Sequence, residues 1–419
     1  MIADTPPRGG QYPVSVIGLS IQLVLQAGCS LRGSAAVMTT FVTRGLADFA
    51  VPVFSTIRSW ILRLGHAALT RPLDRTQRWF WLIDHTIQVG DQKLLVILGG
   101  SLDQVAFGER PLALSDLQLV ALVPMKHSNG DAVERELEVA ALRTGVPRLI
   151  VSDQGSDLVK GTRDYAEWRP QVARVADAAH FGANLLQKSW ESQPRWSNFL
   201  QKLQETSTQL RQSSHAELTA PRLRPKGRFL NLEVQLRFVR MLLRRLDGSD
   251  ADPRVVEHYG WLGEYRDSVR AWLAEHELVR QTIRHLRRHG LHGGTQGELN
   301  RVWKGLGIRG QAGLRSLARS WCGYVKQYQP AQAGNRYVAS TEVLESSFGK
   351  WKRLGHQQSE SGLTGLVLAM GTLVGTMSDE QVRAGLDATP QKAVDRWQET
   401  WLGRSVQWLR RRLLANTKT

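Results

Sequence analysis

Three carboxylates stand in segments where acid chemistry is the natural explanation. Asp84 ends the apolar run Trp79–Ile83, and Asp153 ends a second apolar run, Arg148–Ser152. Glu345 lies in a segment with the pattern of a helix. An acid beside a buried strand needs a partner or a metal, because an uncompensated charge there is costly. Open α/β sheets place their chemistry at strand ends, so Asp84 and Asp153 are candidates for a functional role.

Two alternatives remain open at these acids. Aspartate is a common turn residue, so Asp84 could simply lead into a turn at Gly90-Asp91. Glu342 falls in the first turn of the helix that carries Glu345, where a carboxylate suits the helix dipole. The two glutamates share a helix face. The residues by themselves leave the choice between Glu342 and Glu345 open.

The segments that would carry these acids alternate between strand and helix patterns. The predicted strands are Trp79–Ile83, Lys93–Gly100, Leu117–Val123 (stopped by Pro124), Arg148–Ser152 and Gln171–Ala176. Helices are predicted at Ala132–Thr144, ending at Gly145, and near Asp157–Trp168. This order predicts an α/β core with a mixed sheet flanked by helices.

The order of strands and acids resembles the RNase H-like fold of DDE transposases and retroviral-type integrases. In that fold the acids of the first and fourth strands lie side by side, and Asp84 and Asp153 match those positions. The run from Glu345 to Lys352 resembles the E-x-x-N-x-x-x-K pattern of the family, with Phe348 in place of Asn. The resemblance implies an RNase H-like catalytic core with Asp84, Asp153 and Glu345 as its catalytic residues.

Two further features agree with this resemblance. Asp177-Ala178-Ala179-His180 resembles the D-x-x-H element of Mutator-like and several bacterial transposases, which makes Asp177 and His180 accessory candidates. Glu342, the alternative to Glu345 as third acid, is the other accessory candidate. The alternative is that Asp177 only caps a helix and His180 pairs with it locally. A large helical insertion before the last acid also occurs in Mutator-like and hAT-like transposases.

The resemblance implies a metal-dependent reaction on DNA. Asp84 would bridge two Mg²⁺ ions, with Mn²⁺ as a substitute, and Asp153 and Glu345 would each hold one. Water would attack at the transposon end, and the freed 3′-hydroxyl would attack target DNA, as in a bacterial insertion sequence. The alternatives are a sequence-specific DNA-binding regulator and a host nuclease on a domesticated transposase scaffold. Small-molecule substrates are not expected.

The charge of the chain favours a polyanionic partner. A formal net charge of +17 and a pI near 10.4 indicate attraction to phosphates, and DNA is the leading candidate. The first 75 residues contain three short helical patterns, one capped by Ser30 and the last ending at Gly65. Such a cluster is typical of a helix-turn-helix, so Arg58 and Arg63 on the last helix are predicted to contact DNA.

Other basic residues extend the predicted DNA surface. The candidates in a basic loop are Arg222, Arg224, Lys226 and Arg228, and those after the last acid are Lys350, Lys352 and Arg353. The predicted division is a helix-turn-helix domain at 1–75, the first part of the core at 76–188, an all-α basic insertion at 189–335, and the last part of the core with C-terminal helices at 336–419. The segment His289–Gly294 has no acidic or Cys companion at the spacing of metal ligands and is interpreted as a glycine-rich loop.

Targeting signals are not predicted. Cys29 and Cys322 cannot form a disulfide framework, and the first residues lack the pattern of a signal peptide. The stretch from Leu363 to Met377 is too short to span a bilayer. We therefore expect a cytoplasmic protein without membrane contact. Transposases cut within synaptic assemblies, so the resemblance implies at least a homodimer on DNA.

Overall fold

A computed structural model describes residues 4–89, 92–222, 229, 232–248, 251–355, 364–375 and 377–403. Its sheet has five strands in the order β3-β2-β1-β4-β5. The strands are β1 (Trp79–Val89), β2 (Gln92–Ser101), β3 (Gln118–Met125), β4 (Leu149–Ser152) and β5 (Ala173–Ala176). The pairs β1/β2 and β2/β3 are antiparallel and β1/β4 is parallel, so the predicted mixed sheet is confirmed.

The helices of the described residues account for most of the remaining chain. They are α1 (Val14–Leu25), α2 (Leu31–Thr43), α3 (Phe54–Thr70), α4 (Gly130–Thr144), α5 (Ser156–Glu167), α6 (Ala178–Glu191), α7 (Pro194–Leu210), α8 (Leu232–Asp247), α9 (Pro253–Tyr259), α10 (Arg266–His289), α11 (Thr295–Val302), α12 (Ala312–Tyr328), α13 (Glu342–Gly355), α14 (Ala369–Leu373), α15 (Asp379–Ala388) and α16 (Gln391–Leu402). None of these helices has the length and apolarity needed to cross a membrane.

The chain divides into two compact units. The first unit comprises residues 1–106, 110–175 and 341–419, and the second comprises 107–109 and 176–340. The first unit therefore contains the helical segment 1–75 together with the sheet, and the second contains the predicted insertion. The N-terminal helices share the first unit's core because α3 packs against β3, α14, α15 and α16.

The sequence suggested that strand β1 ends at Asp84, but the strand is longer. It continues to Val89 in antiparallel pairing with β2, where Asp84 lies opposite Val96. The parallel ladder with β4, in contrast, stops at the pair Ile83 and Ser152. Asp84 is thus one residue beyond the last parallel pair. The expected turn residues Gly90 and Asp91 lie outside the described residues.

The ends of two other predicted elements show how tertiary position decides a local signal. Strand β3 runs through Pro124 to Met125 because it lies at the edge of the sheet, where a missing N–H is tolerated. Helix α4 ends as predicted at Gly145, whose φ of 77° is the left-handed conformation that glycine adopts most easily.

The two faces of the sheet carry different groups of side chains. Trp79, Trp81 and Ile83 of β1 face a core shared with α4 and α5. Because side chains alternate along a strand, Asp84 points to the opposite face. Helix α13 packs against β1, and its buried residues are not part of the α4/α5 core. The sheet therefore separates the α4/α5 core from the face that carries Asp84.

The three N-terminal helices pack on one another, but a helix-turn-helix is not shown. Ser30 caps α2 as predicted, accepting a hydrogen bond from the Gly33 amide at 2.8 Å. Helix α3 does not end at Gly65 and continues to Thr70. A recognition helix must expose one face to DNA, whereas α3 buries Trp60, Ile61 and Leu62 and packs against several other elements.

Gly65 has a structural role inside α3. A Cβ atom on Gly65 would overlap the carbonyl oxygen of Leu368. A Cβ atom on Gly371 of α14 would in turn lie 2.6 Å from the carbonyl oxygen of Gly65. The two glycines therefore let α3 and α14 approach more closely than any other residue would allow. The sequence signal for a helix end was in fact a helix-crossing point.

We predict that Gly65→Ala destabilises the first unit by about 1–3 kcal/mol, the usual cost of overpacking a core. The midpoint of urea unfolding would measure this change. Gly349→Ala is the matched control, since a Cβ atom on Gly349 in α13 would meet nothing within 4 Å. That control should gain about 0.5–1 kcal/mol from the better helix propensity of alanine. Equal effects of the two substitutions would contradict the close crossing.

The second unit buries a carboxyl group among its helices. Glu275 of α10 is 7% exposed and accepts a hydrogen bond from the indole Nε1–H of Trp190 in α6. Burial raises the pKa of Glu275, an effect that the Trp190 hydrogen bond partly opposes. Because the folded-state pKa exceeds that of the unfolded chain, this group costs stability as pH rises through its folded-state pKa.

We predict that Glu275→Gln stabilises the second unit at pH 8 relative to the wild-type protein, and less so at pH 5. Glutamine can still accept the Trp190 hydrogen bond but never ionises. The gain can reach about 1.4 kcal/mol for each unit by which the pKa is raised. Urea unfolding at both pH values measures it. A stability difference that does not depend on pH would show that Glu275 titrates normally.

Candidate active site

Asp84 and Asp153 are brought together by the parallel pairing of β1 and β4. Ile83 pairs with Ser152. The residue that follows each of them along the sequence is an aspartate. Neighbouring strands are about 4.8 Å apart, and residues in register point to the same face. Asp84 is 9% exposed and Asp153 is half-buried. The register thus gives two adjacent carboxylates, one of them largely withdrawn from solvent.

Backbone amides orient both aspartates. The carboxylate of Asp84 accepts a hydrogen bond from the amide of His85 at 2.7 Å. Asp153 accepts one from the amide of Gly155 at 2.9 Å, which closes the turn into α5. A Cβ atom on Gly155 would lie 3.1 Å from Asp153 Oδ1 and 3.2 Å from Asp157 Oδ1. The absent side chain at Gly155 leaves room for both carboxylates.

Helix α13 carries both glutamates considered for the third acid. It begins at Glu342, which is half-buried, and Glu345 is exposed one turn later. Leu344, Phe348 and Trp351 form its buried face. Phe348, where the E-x-x-N-x-x-x-K pattern has Asn, is therefore a core residue. Because α13 packs against β1, the acids of these two elements belong to contacting segments.

A polar network that the sequence did not reveal lies on the other face of β1. Asp157 of α5 accepts hydrogen bonds from Ser128 Oγ at 2.7 Å and from Lys93 Nζ at 3.1 Å. Ser128 Oγ lies 3.1 Å from His85 Nε2. The single hydroxyl proton of Ser128 goes to Asp157, so its oxygen accepts from His85 Nε2–H. The network connects β1, β2 and the loop between β3 and α4 to the start of α5.

The electrostatics of this network favour a charged Asp157 and a neutral His85. Burial lowers the pKa of His85, although Asp157 opposes the shift. Burial acts to raise the pKa of Asp157, but the Ser128 hydrogen bond and the nearby His85 and Lys93 outweigh it and hold that pKa below its usual value. The residues of this network come from segments that are distant in the sequence, such as Lys93 and Asp157. No local sequence motif could therefore predict it.

Asp177 and His180 make the local contacts of the capping alternative. Asp177, 1% exposed, accepts from the His180 amide at the start of α6, and its Oδ2 lies 2.8 Å from His180 Nδ1. Both residues belong to the second unit. In that unit Tyr324 donates to the carbonyl of Ala176 at 2.6 Å. The accessory role of Asp177, His180 and Glu342 stays a prediction.

The predicted DNA-contacting arginines of α3 are partly occupied. Arg63 donates to the carbonyl oxygens of Thr389 and Leu386 at 2.7 and 2.6 Å, which caps the end of α15. These contacts do not support a role for Arg63 in DNA binding. Arg58 is half-buried, and burial lowers the pKa of its guanidinium. Arg63 therefore acts within the first unit, and the DNA contact of Arg58 stays a prediction.

The other predicted DNA contacts differ in exposure. Arg222, Lys352 and Arg353 are exposed. Lys350 is half-buried and lines a cavity of about 290 Å³ together with residues of α1 and α14. The predictions for Arg224, Lys226 and Arg228 lie outside the described residues.

Histidines near the predicted glycine-rich loop do have an acidic companion. Glu298 of α11 lies 2.8 Å from His285 Nε2 and 3.2 Å from His292 Nε2. Glu298 reaches this loop from the following helix, a contact that the sequence spacing did not indicate. Among the described residues, no three His, Cys, Asp or Glu side chains are arranged to hold a metal ion.

Comparison with known proteins leaves the family open. No family model and no curated protein sequence matches the chain. A solved structure that it resembles is a Drosophila P element transposase strand transfer complex. The TM-score is 0.43 and the identity 10%, over 86% of this chain and 91% of that chain. Similarity at this level establishes neither a shared fold nor a shared function.

We predict that Asp157→Asn destabilises the first unit by about 1–3 kcal/mol, because Lys93 and Ser128 lose a charged acceptor in a half-buried position. Asp131→Asn is the control, since Asp131 is exposed and pairs with Lys160 at the surface, where such pairs contribute less than about 1 kcal/mol. Urea unfolding measures both. Indistinguishable midpoints for the two variants would show that the network contributes little.

Proposed function

We propose that this chain is a DDE transposase that cleaves DNA and transfers the cut strand with the help of divalent metal ions. The observation that carries the proposal is the β1/β4 register, which puts Asp84 beside Asp153. This juxtaposition is the one that the RNase H-like resemblance implies. The strand order, the helical second unit and the net charge of +17 agree with it.

Carboxylate oxygens are the ligands that Mg²⁺ prefers, although no three acids of the described residues are arranged as a metal site. Asp84 and Asp153 present hard carboxylate oxygens from a shared sheet face, and α13 brings Glu345 on an element that contacts β1. Asp84, Asp153 and Glu345 would hold the ions, with Glu342 as the alternative third ligand. Ions bound there would activate the attacking oxygen and neutralise charge on the leaving oxygen of the phosphodiester.

The protein's own residues position this chemistry. The amides of His85 and Gly155 fix the two aspartates, and the buried backbone of β1 limits their movement. Exposed Lys352 and Arg353 on α13 would hold the DNA phosphates close to the acids. The reaction needs no covalent protein intermediate, since water and then a DNA 3′-hydroxyl are the nucleophiles.

Two other functions use the same surfaces. A DNA-binding regulator would bind DNA without metal and would break no strand. A host nuclease on a domesticated transposase scaffold would cut DNA but would not join the product to a second molecule. Both alternatives share the basic surface, so only the chemistry at Asp84 and Asp153 separates them from a transposase.

We predict that the purified protein nicks supercoiled plasmid in Mg²⁺ or Mn²⁺ and not in EDTA. Asp84→Asn and Asp153→Asn should each reduce the nicking rate at least about 100-fold, because hard cations need the carboxylate charge. Gel separation of plasmid forms measures nicking. A labelled oligonucleotide with a free 3′-hydroxyl measures joining. Glu345→Gln and Glu342→Gln, compared side by side, assign the third acid.

The exposed variant Asp131→Asn is the matched control, because it loses the same charge outside the site and should keep wild-type activity. Nicking without joining would favour the host nuclease. Metal-independent DNA binding with no nicking in any metal would overturn the proposal and leave the regulator.

A further inference from the structure

Helix α8 in the second unit has two very different faces. Its buried residues, which include Leu236, Val239 and Leu242, face neighbouring elements that include α9 and α10. The exposed side of the helix carries Val234, Arg237, Arg240, Met241, Arg244 and Arg245. The outward face of α8 is therefore basic along most of its length.

The charge on this face is mostly uncompensated. Arg237 pairs with Glu233 at 2.6 Å, one turn earlier in the same helix. Arg240 and Arg244, in contrast, form no ion pair or hydrogen bond with any residue in the described part of the chain. An exposed arginine without an acidic neighbour keeps its five donors for an external anion.

The spacing of these arginines suits a nucleic-acid strand. Arg237 and Arg244 are seven residues apart, which is about two helical turns and about 10 Å along the axis. Arg240 lies between them on the same side. Phosphates of one DNA strand follow one another about every 3.4 Å of duplex axis, so three arginines over this length match a short run of consecutive phosphates.

We propose that Arg237, Arg240 and Arg244 of α8 form a second DNA-binding surface, which holds the phosphate backbone of duplex DNA without reading its sequence. The proposal rests on the proposed function only in taking DNA as the partner, and it requires no catalysis. The surface differs from the contacts predicted around α3, α13 and the loop at Arg222. It gives the second unit a DNA-holding surface of its own.

The test compares Arg240→Gln/Arg244→Gln with the matched control Arg135→Gln/Arg163→Gln. Arg135 and Arg163 are exposed on α4 and α5, and the control removes the same charge. Glutamine is a good helix former, so both proteins should fold, which circular dichroism checks. Fluorescence anisotropy with a 30-base-pair duplex of arbitrary sequence is measured in EDTA over a series of KCl concentrations.

We expect the α8 variant to bind roughly tenfold or more weakly at low salt, with a slope of log K against log[KCl] smaller by about 1 for each arginine removed. The control should keep the wild-type slope. A slope and affinity equal to those of the control would overturn the proposal. The proposal would also be overturned if the α8 variant lost binding to polyglutamate but kept its binding to DNA, because that result indicates an acidic protein partner. The binding measurement is made in EDTA and requires no cleavage. Its outcome is therefore independent of the outcome of the nicking assay.

Discussion

The parallel pairing of β1 with β4 is the interaction on which the candidate site depends. The ladder ends at Ile83 and Ser152, and the chain places an aspartate immediately after each. One register shift would send Asp84 or Asp153 into the apolar core of α4 and α5, where an uncompensated carboxylate is costly. The hydrophobic residues on the α4/α5 face therefore fix the register, and the register places the acids.

The polar network on the opposite face supports the same arrangement. Asp157 lies at the beginning of α5, and the turn that carries Asp153 runs directly into this helix. Asp157 accepts hydrogen bonds from Lys93 and Ser128. These bonds connect that turn to β2 and to the loop after β3. Hydrogen bonds on one face of the sheet thus stabilise the strands that carry Asp84 and Asp153 on the other face. These bonds limit how far the two aspartates can separate.

The basic charge of the chain is divided among different tasks. Some arginines act within the fold: Arg63 caps the carbonyls of α15, and Arg143 donates to carbonyls of the edge strand β3. Others, such as Arg240 and Arg244, face solvent without an acidic partner. Net charge therefore indicates a polyanionic partner, but only burial and contacts show which cations remain available to bind it.

The sequence by itself determined the strand and helix order, the caps at Ser30 and Gly145, and the two aspartates at the sheet, because hydrophobic periodicity and capping are local signals. Tertiary structure decided the rest. Gly65 became a helix crossing with Gly371, Pro124 was accepted at a sheet edge, and Asp157 joined Lys93 across 64 residues. Such features depend on which segments meet in space, and no local pattern encodes that.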